Sequence, residues 1–259
     1  MKLGTNWSGQ RELPVLQEVL SNVEVDFVEL LIDNFLLTDP CSILKILDGR
    51  DCAFHIMNSQ FLHKDTQALK VMAKLLQKLS KTLNPIYVSD HLGVFYFHGQ
   101  ALPQMLEVDY VHQKECIFQQ TDIWQSILDC KLLLENYPSV TPQGQLQTEF
   151  YRDLIDQVEC GLLFDISNAV VAERNVGEAK DSWLPLLANT QNYHIAGYEE
   201  CTDGGFLVDT HNQCIDSVSL DFLAKISRTQ NIKSISVERD GNFISNEWCI
   251  DISRTRAHL

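Results

Sequence analysis

Leu132-Leu133-Leu134-Glu135 is three leucines closed by a carboxylate. Such a short apolar run reads as a strand, and Val25 to Ile32 is another, largely apolar and of the kind buried on both faces in parallel sheets. The construction recurs along the chain. Ala53-Phe54-His55, Val88-Ser89-Asp90-His91, Leu162-Leu163-Phe164-Asp165, Asn192-Tyr193-His194 and Ile235-Ser236-Val237-Glu238 are also short, mostly apolar runs that end on a metal-ligand type. Asp209 and His211 add a further pair in the polar segment after the His194 run. Side chains at the ends of parallel barrel strands converge on one mouth, so residues far apart in sequence can share a pocket. Such endings, repeated in order, argue for a multinuclear metal site.

Around these runs the chain alternates strands with helices. Residues 2–7, 25–32, 52–56, 86–89, 131–135, 161–165, 192–196 and 232–238 read as strands. Helical periodicity marks 11–20, 40–47, 65–83, 110–128, 148–158 and 217–227. The clearest is 65–83, where Leu69, Val71, Met72, Leu75, Leu76 and Leu79 form a stripe with lysines interleaved. Residues 91–107, with Gly93, Gly99 and Pro103, read as a loop over the mouth. Alternation of this kind indicates a parallel sheet with crossover helices, and eight strands suggest closure. The expected fold is α/β, a single (β/α)8 TIM barrel over 1–259, a length that suits a barrel of roughly 250 residues. An open doubly wound sheet is the alternative. Only Gly241–Leu259 follow the last strand region, which predicts a short or missing last helix and an exposed barrel flank.

Composition bounds the function. The apolar fraction is 45% and the charged fraction 21%, as in an ordinary globular protein. No run approaches the roughly 18 apolar residues of a membrane span, and Met1–Ser8 lacks the apolar core of a secretory signal. A cytoplasmic location is expected, with no membrane partner. Acids outnumber bases 35 to 20, a net charge of −15, and no basic cluster stands out. That balance speaks against nucleic acid, whose binders carry a basic face, and suits a neutral or basic partner such as a peptide. The eight cysteines form no C-x-x-C pair and read mostly as buried free thiols.

Histidine and carboxylate together suit zinc, manganese or iron. His63, His98, His112 and His258 read as ordinary surface residues. Glu135 and Asp165 do not, because a carboxylate that ends an apolar run needs a partner cation. Asp165-x-x-Asn168 and Asp209-x-His211 are spaced to bring two donors to one centre. In Glu238-Arg239-Asp240 the two acids face the same way if the strand stays regular, which makes Asp240 a pocket residue.

The order His55, His91, Glu135, Asp165, Asn168, His194, Asp209, His211, Glu238 is similar to the trinuclear site of the xylose isomerase-like barrel superfamily, which includes endonuclease IV. There the third metal takes a histidine where this chain has Asn168. The phrases Val88-Ser89-Asp90-His91-Leu92, Leu133-Leu134-Glu135-Asn136, Asp165-Ile166-Ser167-Asn168, His194-Ile195-Ala196-Gly197 and Glu238-Arg239-Asp240 resemble the multinuclear non-haem iron-dependent oxidative enzymes. Val28-Glu29-Leu30-Leu31-Ile32-Asp33-Asn34-Phe35 and Phe54-His55-Ile56-Met57 resemble the MbnB-like subgroup of methanobactin biosynthesis. The resemblance runs nearly end to end.

It implies a xylose isomerase-like barrel with two or three irons, mixed Fe(II)/Fe(III), and dioxygen as co-substrate. The implied reaction turns cysteines of a ribosomally made precursor peptide into oxazolone and thioamide groups. It also implies a heterodimer with a small MbnC-like partner protein. Residue by residue, His55, His91 and Glu135 would hold one iron. Glu135 would bridge to a second with Asp165, His194 and Glu238, and Asn168, Asp209 and His211 would hold the third. Asp240 would move protons as the catalytic residue beside the metals. Two other classes stand beside this one: a zinc-dependent endonuclease IV-like phosphodiesterase and a non-catalytic metal-binding peptide carrier.

Overall fold

The structure is a computed structural model that describes residues 1–202 and 204–259. The first half runs β1 (Lys2–Trp7), α1 (Leu13–Asn22), β2 (Phe27–Leu31), α2 (Pro40–Leu47), β3 (Asp51–Ile56), α3 (Thr66–Leu83), β4 (Val88–His91), β5 (Val94–Phe97), β6 (Gln100–Leu106) and α4 (Lys114–Ile127). The second half runs β7 (Leu132–Glu135), α5 (Gln147–Gln157), β8 (Gly161–Asp165), α6 (Ile166–Val176), β9 (Asn192–Ala196), β10 (Glu199–Glu200), β11 (Leu207–Val208), α7 (Ser217–Thr229), β12 (Ser234–Glu238) and α8 (Ser245–Ala257). The strands β1-β12-β9-β8-β7-β4-β3-β2 close a barrel, every neighbouring pair parallel. The chain is therefore a TIM barrel, and the open-sheet alternative is excluded by the β1–β12 ladder.

Apolar side chains fill both sides of the strand wall. Outward residues such as Leu30, Phe54, Leu134 and Phe164 join the helices in one large core. Inside the barrel Phe27, Ala53, Tyr87, Leu133 and Leu163 form a second, small cluster. Gly4 makes room there, since a Cβ on it would collide with the Phe27 ring. This plug fills the barrel below the mouth, and most ligand-type side chains stand above it at the C-terminal strand ends.

Four expectations from sequence change. Residues 91–107 are not a plain loop: β5 and β6 pair as an antiparallel hairpin, turned at His98 and Gly99 with φ of 48° and 77°. Pro103 is compatible with that strand because β6 is an edge. Helix α6 has no amphipathic stripe, as Ile166 through Ala172 are all buried, and periodicity therefore gives no signal for it. Third, the last helix is neither short nor missing: α8 has 13 residues. The connection from Glu238 is short because Arg239, 1% exposed, turns the chain by pairing with Asp251 (2.8 Å) and Glu247 (3.3 Å) of α8. The flank is accordingly covered by Trp248 and Ile252, both buried. Finally, only Cys52 and Cys160 of the eight free cysteines are buried; Cys41, Cys116, Cys201 and Cys214 are exposed, and Cys130 and Cys249 lie between. Most thiols are thus not core side chains.

Trp248 ties α8 to the first strand. It is fully buried and its Nε1 donates to Thr5 Oγ1 at 2.7 Å. Trp248→Ala should lower unfolding stability by about 3–5 kcal/mol, the cost of an emptied large core site. Urea denaturation checks this; a loss below about 1 kcal/mol would mean that α8 is not integral to the barrel.

Candidate metal centre

Each barrel strand that ends on a ligand type delivers it to the mouth. His55 on β3, His91 at the end of β4 and Glu135 at the end of β7 meet: Glu135 Oε2 stands 3.4 Å from His55 Nε2 and 3.3 Å from His91 Nε2. On the other side of Glu135, Oε1 lies 3.5 Å from His194 Nδ1, which is also 3.1 Å from Glu238 Oε2. Asp165 completes that second group, and its donor atoms with those of Glu135, His194 and Glu238 all lie within 4.8 Å of one another. Glu135 belongs to both groups.

The hydrogen-bond network assigns the imidazoles. Ser89 Oγ donates to the Phe54 carbonyl (3.3 Å), so it accepts from His55 Nδ1 (2.8 Å). His91 Nδ1 donates to the Ile56 carbonyl (3.1 Å). Both rings therefore turn a lone pair at Nε2 toward Glu135. Burial, aided by His91, pushes the His55 pKa down to about 3, so the ring is a neutral ligand at neutral pH.

Asn168 sits in the first turn of α6, which Asp165 caps by accepting from the Asn168 N–H at 2.6 Å. Its Nδ2 donates to the Asn136 carbonyl (2.9 Å), which leaves Oδ1 to face the site. Asp209 and His211 follow β11. His211 Nδ1 donates to Asp240 Oδ2 (2.9 Å), and its Nε2 is 2.7 Å from Asp209 Oδ1. His211 adopts φ 49°, a left-handed conformation uncommon for histidine. Gly197 lets that segment approach, because a Cβ there would strike the Gln213 carbonyl. Asp240 is exposed at the mouth and is held by Asn6 Nδ2 (2.7 Å) as well as by His211.

A metal fits this set. Glu135 Oε2, Asp165 Oδ2, Asn168 Oδ1 and His194 Nδ1 are buried ligand atoms without a hydrogen-bond partner, and Asp209 Oδ1 and His211 Nε2 are buried against one another. Buried polar atoms are normally satisfied; those of Glu135, Asp165 and His194 instead lie within 4.8 Å of one another. Charge agrees. Burial, reinforced by Glu135, holds the Asp165 carboxyl well above the ordinary range. His194 is also pushed up: burial lowers it, but Glu238, Glu29 and Glu135 outweigh that and draw in a proton. A cation among these carboxylates would take that proton's place.

Above the centre opens a cavity of about 1170 Å³, walled by the β5–β6 hairpin, by Tyr137, Pro138, Val140 and Thr141 and by Phe206 to Val208. Among its described lining residues there is no lysine or arginine.

The sequence profile of the RiPP precursor modification enzymes MbnB/TglH/ChrH matches residues 9–254. The chain belongs to this family. It is similar to the UPF0276 protein of Psychromonas ingrahamii, 23% identical over 187 residues that cover 69% of this chain and 63% of that protein, so the chain spans just under two thirds of that relative. To the UPF0276 protein of Anaeromyxobacter sp. strain Fw109-5 it is 25% identical over 225 residues, covering 83% of this chain and 78% of the relative. Among solved structures, a xylose isomerase-like TIM barrel protein from Mycobacterium smegmatis in complex with magnesium superposes with a TM-score of 0.61 at 14% identity, over 95% of this chain and 89% of that one. That likeness shows the fold.

For this member of the MbnB/TglH/ChrH family, the residues singled out from sequence all lie at the barrel mouth. His63, His112 and His258 do not; they serve locally, accepting from Phe95 N, pairing with Asp109 and capping the Arg254 carbonyl. Sequence reading missed Glu29 as a site residue. It lies inside β2, is 1% exposed and stands 2.9 Å from His194 Nε2. The available signal was an acid in the middle of the apolar run Phe27-Val28-Glu29-Leu30-Leu31.

Metal loading should give at least two ions per chain, because these donors exceed what one octahedral ion uses. Glu135→Ala should lose more metal than any other single ligand change, since Glu135 faces both groups. Elemental analysis after gel filtration decides it; full metal content in that variant would contradict the arrangement.

Proposed function

We propose that this chain is a multinuclear non-haem iron enzyme that uses dioxygen to oxidise cysteines of a ribosomally synthesised precursor peptide, giving oxazolone and thioamide groups. The observation that carries the reading is the convergence of orphaned, buried histidine and carboxylate atoms at the mouth of a barrel whose family modifies such precursors. His55, His91 and Glu135 would hold one iron and Glu135 would bridge to a second with Asp165, His194 and Glu238, and Asn168, Asp209 and His211, which line the same cavity, would hold a third. An amide oxygen is a weaker ligand than imidazole, so the third ion should be lost first. Bound iron supplies an anchor for a cysteine thiolate and electrons for dioxygen.

The chain's own groups do the rest. Phe95, Tyr96, Leu102, Met105, Tyr137 and Phe206 line the cavity and keep water from a bound peptide segment. The lack of lysine and arginine among the described lining residues gives phosphates no partner, which supports a peptide over the endonuclease IV-like alternative. Asp240 stands at the mouth with its carboxylate fixed by Asn6 and His211, where it can hold and pass a proton between substrate and solvent. A small MbnC-like protein completes a heterodimer in the cytoplasm and presents the peptide. The covered α8 flank removes the exposed C-terminal edge as the reason to expect that partner, so the proposal of a partner rests on the family alone.

The test uses a cysteine-containing peptide encoded beside this chain, the iron-loaded protein and the neighbouring small protein. Dioxygen uptake should require the peptide, and peptide mass should fall by about four hydrogens per site, matching a four-electron oxidant. Serine in place of the target cysteine should abolish both. Asp240→Asn should keep the two irons that share Glu135 while turnover falls by about 10²–10⁴-fold, and the third ion, whose His211 Asp240 orients, should bind more weakly. An unchanged peptide mass in every iron oxidation state, or cleavage of abasic nucleic acid, would remove this reading. Equal rates without the small protein would remove the partner.

A further inference from the structure

Glu29 has no place in the three-iron assignment, yet it is the most deeply placed acid of the mouth apart from Asp165. Three contacts define it. The Tyr87 hydroxyl donates to Oε1 at 2.8 Å. His194 Nε2 lies 2.9 Å from both carboxylate oxygens. Below, Tyr87 is wedged in the apolar plug with Ala53, Leu133 and Leu163, its ring edge-on to Phe27 at 6.2 Å. A buried carboxylate and a buried tyrosine hydroxyl each need a partner, and here each supplies the other's.

Glu29, His55 and His194 are close enough to hold a cation of their own. The nitrogens argue against it. His55 Nδ1 is taken by Ser89, and His55 Nε2 faces Glu135 together with His91. A cation on Glu29 would have to withdraw that nitrogen from the His91–Glu135 group. It would also take His194 Nε2, while Nδ1 already faces Glu135 and Glu238 without a hydrogen-bond partner.

We propose that Glu29 is a positioning residue: it accepts the Nε2 proton of His194, which fixes Nδ1 as the ligating atom, and Tyr87 holds Glu29 in that pose from inside the barrel. The inference rests on the metal-centre reading above. A carboxylate behind a ligating imidazole sets its tautomer and orientation and raises its basicity, and removing such a partner typically costs 10–100-fold in metal affinity. The pillar Tyr87–Glu29–His194 thus carries positional information from the rigid plug to the mouth. Its length explains why a tyrosine is needed where the neighbouring plug residues are alanine, leucine and phenylalanine.

The experiment loads the full chain anaerobically with Fe(II), and in parallel with Co(II), and compares it with Tyr87→Phe and Glu29→Gln. Metal per chain at saturation, affinity against a competing chelator, and the exchangeable, hyperfine-shifted N–H proton signals of the Co(II) form are measured. Both variants should reach the wild-type number of metals. Their affinity for the ion at His194 should fall by about 10–100-fold. One exchangeable N–H signal should shift or vanish in Glu29→Gln and shift in Tyr87→Phe. One metal fewer in Glu29→Gln at saturation would make Glu29 a ligand and overturn the proposal. So would wild-type affinity and spectra in Tyr87→Phe, which removes only a hydroxyl and decides the matter if Glu29→Gln does not fold. Wild-type protein that takes up no metal would fail the metal-centre reading itself, a result distinct from either variant outcome.

Discussion

A carboxylate cannot stay ionised in an apolar interior unless a cation answers it, and this barrel places Glu29, Glu135, Asp165 and Glu238 together with at most 7% exposure each. The remaining features of the mouth follow from that constraint. The histidines stand on both sides of Glu135 around the ring, their outer nitrogens tied to Ser89, Ile56, Glu29 and Asp240 and their inner nitrogens turned to Glu135, Glu238 and Asp209. Without metal, the Glu238, Glu29 and Glu135 carboxylates load a proton onto His194, and Asp209 does so for His211. Such a site is built to exchange protons for metal ions.

The scaffold makes the arrangement affordable in stability terms by separating tasks. Outward strand residues bind the helices, inward residues below the mouth form an apolar plug, and the ligand-type side chains stand at the strand ends, with Glu29 reaching His194 from within β2. Glu238-Arg239-Asp240 shows the separation over three residues. The two acids face the cavity, and Arg239 between them points back to Asp251 and Glu247, locking α8 against the barrel. The site and the closure of the fold are thus coupled through one turn.

Much of this was legible in the sequence because a buried parallel strand has no polar face to confuse it. Glu135 and Asp165 end runs in which every other residue is apolar, and both lie at the centre. Glu29 escaped notice for the converse reason: it interrupts a run instead of ending it, and only the pairing of β2 with β1 and β3 shows that its side faces inward to His194. Helix α6 escaped because it is buried all round, and the β5–β6 hairpin because its turn uses a histidine, His98, before Gly99. The length of α8 was misjudged because the role of Arg239 in shortening the preceding turn depends on contacts with residues that come after it. Local pattern gives strand ends; it does not give which interior acid meets which imidazole.

The central claim is that several metal ions share Glu135 at the barrel mouth. Anomalous diffraction at the iron edge from crystals of anaerobically loaded protein tests it most directly. The account predicts at least two peaks, one bounded by His55, His91 and Glu135 and another by Glu135, Asp165, His194 and Glu238, separated by about 3.5–4 Å as in other two-metal sites. A single peak remote from Glu135, or none inside the barrel mouth, would contradict it.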